Sequence, residues 1–475
     1  MSRRLRVLLV PDSVYWVTGT IAKSIARYNP WIEATIASSS VLETILPKYP
    51  ELISNFDLVH FICPYASGYW MPQFRDRMPC VTSHHHVSEW QRLSHNLEGD
   101  AIVVGSPEWA EDLRGRGADM SRVFCVPYGV DAEIFKPPAP AERNAAREKL
   151  GLAEGHTLIG FFGKNSSNEL DRKGIDVFTE AIVGLRQRLP DVAVLIIGPG
   201  WKELISSLKA SGVRVIWFPF LPDLEGLSEM YRALDFYWVT ARVEGGPVTL
   251  LEAMSSEVCC LTTPVGLARE IVRDGHNAVL VPFNNAEAFI ERTTLLARDA
   301  AERGRIGRNA RETILAEMQV ADKVKLVREV YARAFESFAA RRQCALARHA
   351  RCPSGDPALP LDVHEIATGD STGLPDNERG NEIPLAGFPG AIHGLVRMLE
   401  TLRWGESLFV HLHQPRAALR MILREWLANP FSPFPPKVLL RCFLPVSAIE
   451  HMSKLKNRSR VTPELIANCP PTQKA

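Results

Sequence analysis

Residues 239–275 read VTARVEGGPVTLLEAMSSEVCCLTTPVGLAREIVRDG, a stretch that sets carboxylates, glycines and a helix start at fixed spacing. The apolar run Phe236–Val239 at its front has the length and composition of a buried strand. Gly245 and Gly246 permit a tight turn, and Pro247 suits the first turn of a helix over Val248–Ser255. The amides of Val248 and Thr249 then lie in the first helical turn, where no helical partner exists, and such amides attract a phosphate. Glu244 and Glu252 stand eight residues apart. On a helix this is about 12 Å at ~1.5 Å per residue, near the length of a nucleotide sugar from hexose to ribose. One carboxylate would hold sugar hydroxyls and the other a ribose, with a diphosphate between them. The competing reading makes Glu244 a solvated loop residue and Glu252 a first-turn acid favoured by the helix dipole.

Glu244-x7-Glu252, followed by Ala253-Met254, the turn Thr263-Pro264-Val265-Gly266 and Glu270-Ile271-Val272-x-Asp274-Gly275, resembles the donor-site signature of the retaining glycosyltransferases of family 4. These enzymes have the GT-B fold. The resemblance implies an α/β chain with two doubly wound Rossmann-like domains facing a central cleft. It departs from the usual pattern at Gly246-Pro247, where the family has an aromatic residue and a second glycine. It also implies roles: Glu244 for the transferred sugar, Glu252 for the ribose, Lys173 and Lys164 for the diphosphate, and the Val248 and Thr249 amides for its oxygens.

The rest of the chain is compatible with that architecture. At 475 residues, with 46% hydrophobic and 23% charged residues, there is room for two domains and an appendage. A formal net charge of +1 gives no global reason to invoke nucleic acid. Nine scattered cysteines without a CxxC pair favour reduced thiols and a cytoplasmic setting. The basic start MSRRLRVLLVPDS raises the question of a signal peptide, but Leu5–Val10 is short, carries Arg6 and closes on Pro11-Asp12, which suits a first strand. No run reaches the ~18 apolar residues of a membrane span.

Within residues 1–135, short apolar runs at Leu5–Val10, Glu33–Ala37, Leu58–Cys63, Cys80–Ser83, Ala101–Gly105 and Val123–Val126 alternate with helix-like segments. This is the pattern of a parallel sheet covered on both faces, whose ligands collect beyond the strand ends. Val126-Pro127-Tyr128-Gly129-Val130-Asp131 resembles the end of the family's first domain, and a hinge is expected in the proline- and alanine-rich linker at 136–155. A second series, residues 156–345, has strands expected at Thr157–Phe162, Val192–Ile197, Arg214–Phe218, Phe236–Val239, Val258–Thr262 and Ala278–Val281, then closing helices that in the family return to the first domain.

Two further clusters are candidates for chemistry. Gly163 and Lys164 end a strand, and Arg172-Lys173-Gly174 open a helix, so cations would clamp a departing diphosphate; a solvated basic loop is the alternative. His84-His85-His86 invites a zinc site, but neighbours on an extended chain face opposite ways and spaced partners are missing. The resemblance instead implies His84 or His85 as a sugar or acceptor contact. No metal and no cofactor is expected, the cations and the helix end supplying the charge.

Residues 353–390 hold six prolines and six glycines without periodicity and read as a disordered linker. Residues 391–475 carry twelve Lys or Arg against five Glu, a net of +7. Leu419, Ile422, Leu423 and Trp426 share one helical face, either packed on the first domain or lying in an anionic membrane surface. The expectation is thus a sugar transfer from a nucleotide-diphosphate donor to a carbohydrate or lipid-linked acceptor. The rivals are another GT-B enzyme, such as a nucleotide-sugar epimerase or a phosphorylase, and an inactive binding module.

Overall fold

A computed structural model describes residues 3–47, 49–85, 90–153, 155–165, 169–221 and 223–349, all within one compact unit, Met1–His393. The proline-rich linker, the basic C-terminal segment with its expected amphipathic helix, and His86 lie outside the described residues.

Twelve strands form two six-stranded sheets among the described residues. The first contains β1 (Leu5–Val10), β2 (Ile32–Ile36), β3 (Leu58–Phe61), β4 (Cys80–His84), β5 (Ala101–Val104) and β6 (Val123–Cys125) in the order β2-β1-β3-β4-β5-β6. The second contains β7 (Thr157–Phe162), β8 (Val192–Ile197), β9 (Arg214–Phe218), β10 (Phe236–Val239), β11 (Cys259–Thr262) and β12 (Val279–Leu280) in the order β12-β11-β10-β7-β8-β9. All pairings are parallel. Parallel strands covered on both faces must be apolar throughout, and β8 (VAVLII) is buried at every residue. The strand order reverses between β1 and β3 in one sheet and between β7 and β10 in the other, and it is at such reversals that doubly wound sheets open a ligand crevice. The fold is the GT-B arrangement.

Two boundaries differ from the sequence expectation. Val130, Ala132 and Phe135 pack into the core of the second domain, not the first. They are held there by Val130 N–H to Met318 O (2.9 Å) and Val320 N–H to Val130 O (3.1 Å). The expected hinge contains a helix, Pro140–Lys149, with proline at its start and Glu142 accepting from the Ala139 amide at 2.8 Å. Alanine, Glu, Arg and Lys are strong helix formers, so the composition that reads as a linker also makes a helix. Its Arg143 and Arg147 bind Asp235 at 2.7 and 3.0 Å, which fixes it to the second domain.

The closing helix Val327–His349 returns to the first domain: Val327, Val330, Tyr331, Ala334 and Phe335 share a core with Val7, Leu9, Val81 and Ala101. Buried polar groups fix its register. His60 bonds Tyr331 Oη at 3.1 Å and Ser83 Oγ at 3.0 Å, and burial pushes its imidazole down to about 3, so it packs as a neutral ring. Arg341 grips Asp100 with Nε (3.1 Å) and Nη2 (3.0 Å), while Asp100 also accepts from the Cys80 amide at 2.9 Å. Asp100 has 3% of its side chain exposed, so Arg341→Ala strands a carboxylate. The expected cost is about 2–3 kcal/mol. Thermal unfolding should show it as a lower midpoint, and limited proteolysis should cut the closing helix sooner.

Candidate active site

A cleft of about 540 Å³ opens between the carboxyl ends of the two sheets, large enough for a nucleotide sugar. From the first domain, Asp12, Tyr15, Trp16, Thr20 and Lys23 follow β1. From the second come Phe162–Lys164 after β7, Gly198 after β8, Val239–Ala241 and Glu244 after β10, and Pro247–Thr249 and Glu252 on the adjoining helix.

Glu244 is paired at both carboxylate oxygens. Oε1 lies 3.1 Å from Lys173 Nζ and Oε2 lies 2.9 Å from Arg172 Nη1. Burial alone would raise its pKa, but the two cations outweigh burial and bring it down to about 2. The cations arrive there because the segment before the helix Ile175–Arg188 is stitched to the strand end: Arg242 N–H donates to Arg172 O (2.8 Å), and Thr240 Oγ1 donates to Lys173 O (2.8 Å). Gly174 lies in the left-handed region (φ 62°) with its Cα against Thr240 O, where a Cβ would come within 2.2 Å. Glu244 is therefore not a solvated loop residue.

Glu252 has the opposite environment. It is 6% exposed, and Tyr231 Oη donates to its Oε2 at 2.7 Å. Burial raises its pKa to about 7, and the Tyr231 bond only partly opposes this. The helix Val248–Ser255 starts as expected, with Pro247 as the residue preceding it and not inside its first turn. Leu250 is the first amide to donate back, to Pro247 O at 2.8 Å, so the helix ladder does not use the amides of Val248 and Thr249.

Gly245 and Gly246 make close approaches as well as a turn. A Cβ on Gly245 would lie 1.9 Å from His85 O, and one on Gly246 would lie 2.5 Å from the Tyr128 ring. The turn at 244–246 thus seats directly on His85 of the first domain and on Tyr128. Gly163 lines the cleft beside Lys173, its carbonyl accepting from Trp201 Nε1 at 2.7 Å. Lys164 crosses the cleft, with Nζ 3.2 Å from Asp12 Oδ2 and 5.7 Å from the centre of the Trp16 ring. Trp16 also meets Phe220 edge-on at 6.3 Å.

The structure thus gathers Glu244, Lys173, Lys164, Gly163, Gly246, Val248, Thr249 and Glu252 around one cavity. Gly245, expected with them, does not line the cavity and packs instead against the His85 carbonyl. The structure does not bring His84 there. His84 ends β4 fully buried, with Nδ1 3.4 Å from Asn96 Nδ2 and its ring 5.9 Å from Trp90. The alternation of strand side chains sends it into the layer behind the sheet. His85 bonds Ile62 O through Nε2 at 2.8 Å and pairs with Tyr128 Oη through Nδ1. Arg172, expected beside Lys173 as a clamping cation, lines the cleft as well, and so do Trp16 and Asp12 after β1; of these, Asp12 was not among the expected contacts.

Residues 142–313 match the family model described as Glycosyl transferases group 1. A D-inositol 3-phosphate glycosyltransferase of Xylanimonas cellulosilytica is 33% identical over 225 residues, covering 45% of this chain and 52% of that protein. The Nocardia farcinica protein of the same name is 29% identical over 301 residues, covering 56% and 64%. The chain thus spans between about half and two thirds of the length of these relatives. Anabaena HepE, solved in complex with UDP-glucose, superposes with a TM-score of 0.59 at 18% identity, over 69% of this chain and 99% of HepE. That likeness is one of fold.

The protonation of Glu252 gives a test of the site. Its carboxyl titrates near 7 in the folded chain against an ordinary 4.5, so folding favours the protonated form. The resulting penalty grows as pH rises through that window and is complete above it, at an upper bound of about 3 kcal/mol. Glu252→Gln removes the penalty while keeping an oxygen for Tyr231. The variant should melt higher than the wild type at pH 8, and the difference should shrink at pH 5.

Proposed function

We propose that the cleft binds a nucleotide-diphosphate sugar and transfers the sugar to a hydroxyl of a carbohydrate or lipid-linked acceptor, with retention of anomeric configuration, as in family 4. The observation that carries this reading is the convergence of an ionised Glu244, a half-protonated Glu252, two cations and the start of a helix on one cavity at the switch point of the second sheet. The match of residues 142–313 to the group 1 glycosyltransferase model supports it.

The chemistry follows from the charges. Breaking the bond between the anomeric carbon and the diphosphate leaves an electron pair, and so negative charge, on the departing phosphate oxygen. Lys173 and Arg172, with Lys164 reaching across the cleft toward Asp12, stand where they can stabilise that charge, and the Val248 and Thr249 amides add donors that need no reorganisation. Glu244, charged throughout the neutral range, accepts hydrogen bonds from sugar hydroxyls and keeps the two cations in place. The acceptor oxygen forms its bond to the anomeric carbon, and its proton passes to the leaving phosphate. Glu252 takes the ribose diol. On the first-domain wall, Tyr15 and Trp16 offer flat apolar faces suited to a sugar ring. This chemistry calls for no metal or cofactor, because protein cations and amides meet the leaving-group charge.

The two glutamates should fail differently. Glu252→Gln should weaken nucleoside diphosphate binding by about 1–3 kcal/mol, the weight of a charge-assisted hydrogen bond. Wild-type affinity should also rise as pH increases through 7, because the diol binds the carboxylate. Glu244→Gln should leave that binding nearly intact and lower turnover. Calorimetric titration with UDP and GDP, paired with nucleotide-release assays, checks both; full activity in both variants would overturn the assignment. Transfer should also persist in EDTA.

A further inference from the structure

The helix Pro107–Gly115 belongs to the first domain, yet its opening turn holds the loop that carries Glu244. Trp109 Nε1–H donates to the Glu244 carbonyl at 3.2 Å. Glu108 Oε2 accepts from the Gly266 amide at 3.0 Å, and its other oxygen is 3.6 Å from Arg269. Gly266 packs against the same peptide, since a Cβ there would lie 2.4 Å from Glu244 O. Val243 packs against a small core of the first domain made by Ile102, Val104, Trp109 and Leu113. The loop is therefore anchored twice: Arg172 and Lys173 of its own domain hold the Glu244 carboxylate, and the opposite domain holds its carbonyl and the preceding side chain.

From this geometry, and resting on the reading given under Proposed function, we propose that Trp109 and Glu108 are positioning residues that set Glu244 for sugar transfer from across the domain boundary. Neither residue lines the cleft, so each acts through the loop and not on a ligand. The contacts proposed for the nucleotide, Glu252 and the Val248 and Thr249 amides, belong wholly to the second domain. Nucleotide binding and sugar transfer should therefore part company when the anchor is cut.

Trp109→Phe removes the N–H donor and keeps most of the ring. Glu108→Ala removes the acceptor for Gly266, and Glu108→Gln restores an acceptor oxygen while losing the charge. UDP and GDP affinity measured by calorimetry should stay within about twofold of wild type in all three, whichever nucleotide the wild type binds. Nucleotide release at saturating donor and acceptor, per folded molecule, should fall about tenfold in Trp109→Phe and Glu108→Ala, the usual weight of one hydrogen bond. Glu108→Gln should recover most of it. A merely structural role would lower the melting temperature and leave turnover of the folded fraction unchanged in Trp109→Phe and Glu108→Ala; that result overturns this proposal and leaves the proposed activity standing. A wild-type protein that neither binds nor consumes any nucleotide sugar overturns the activity, and this proposal with it.

Discussion

A carboxylate taken out of water must find its compensation nearby, and the geometry of the cleft follows from how Glu244 does so. Its two oxygens meet Lys173 and Arg172 at 3.1 and 2.9 Å, and both cations stand on a segment whose carbonyls are bonded to the end of β10. The three charges are thus fixed relative to the backbone of the switch point. Glu252, one turn into the adjoining helix, has a neutral tyrosine hydroxyl where Glu244 has two cations. Two carboxylates of one chemical type are thereby driven apart, one to about 2 and the other to about 7. Of the two glutamates, one is a permanent anion and the other exchanges its proton near neutrality.

Most of the fold can be read from the sequence because parallel strands buried on both faces leave an unmistakable trace. Runs such as LRVLLV in β1 and VAVLII in β8 have no polar alternation to disguise them. The linker was less legible. Proline and alanine at 136–145 are compatible both with a flexible connection and with a helix, and what decides between them is Asp235, some ninety residues on, which binds Arg143 and Arg147. Likewise Val130–Phe135 reads as the end of the first domain, whereas Val130 and Phe135 are captured by the second core.

The site divides the same way. Glu244, Glu252, the turn glycines and the helix start lie within nine residues, and local spacing suffices to find them. What spacing cannot show is the first-domain half of the site. Trp109 and Glu108 approach the loop that carries Glu244 from more than a hundred residues away and follow no period that a sequence could display. His84 shows the converse failure: it stands at a strand end, where ligands are expected, but its ring packs against Asn96 and Trp90 and not into the cleft.

The return of Val327–His349 to the first sheet has a consequence for how the chain is made. Tyr331 and Phe335 complete a core begun by Val7 and Leu9, so the first domain to leave the ribosome is the last to be finished. Strands β1–β6 must wait for roughly 200 further residues, about 10–40 s at 5–20 residues per second. In that interval the second domain is synthesised and can assemble alone, since its core draws on residues from Val130 to Met318. The nascent first sheet is meanwhile left with an uncovered apolar face, and chaperone engagement during synthesis should concentrate there.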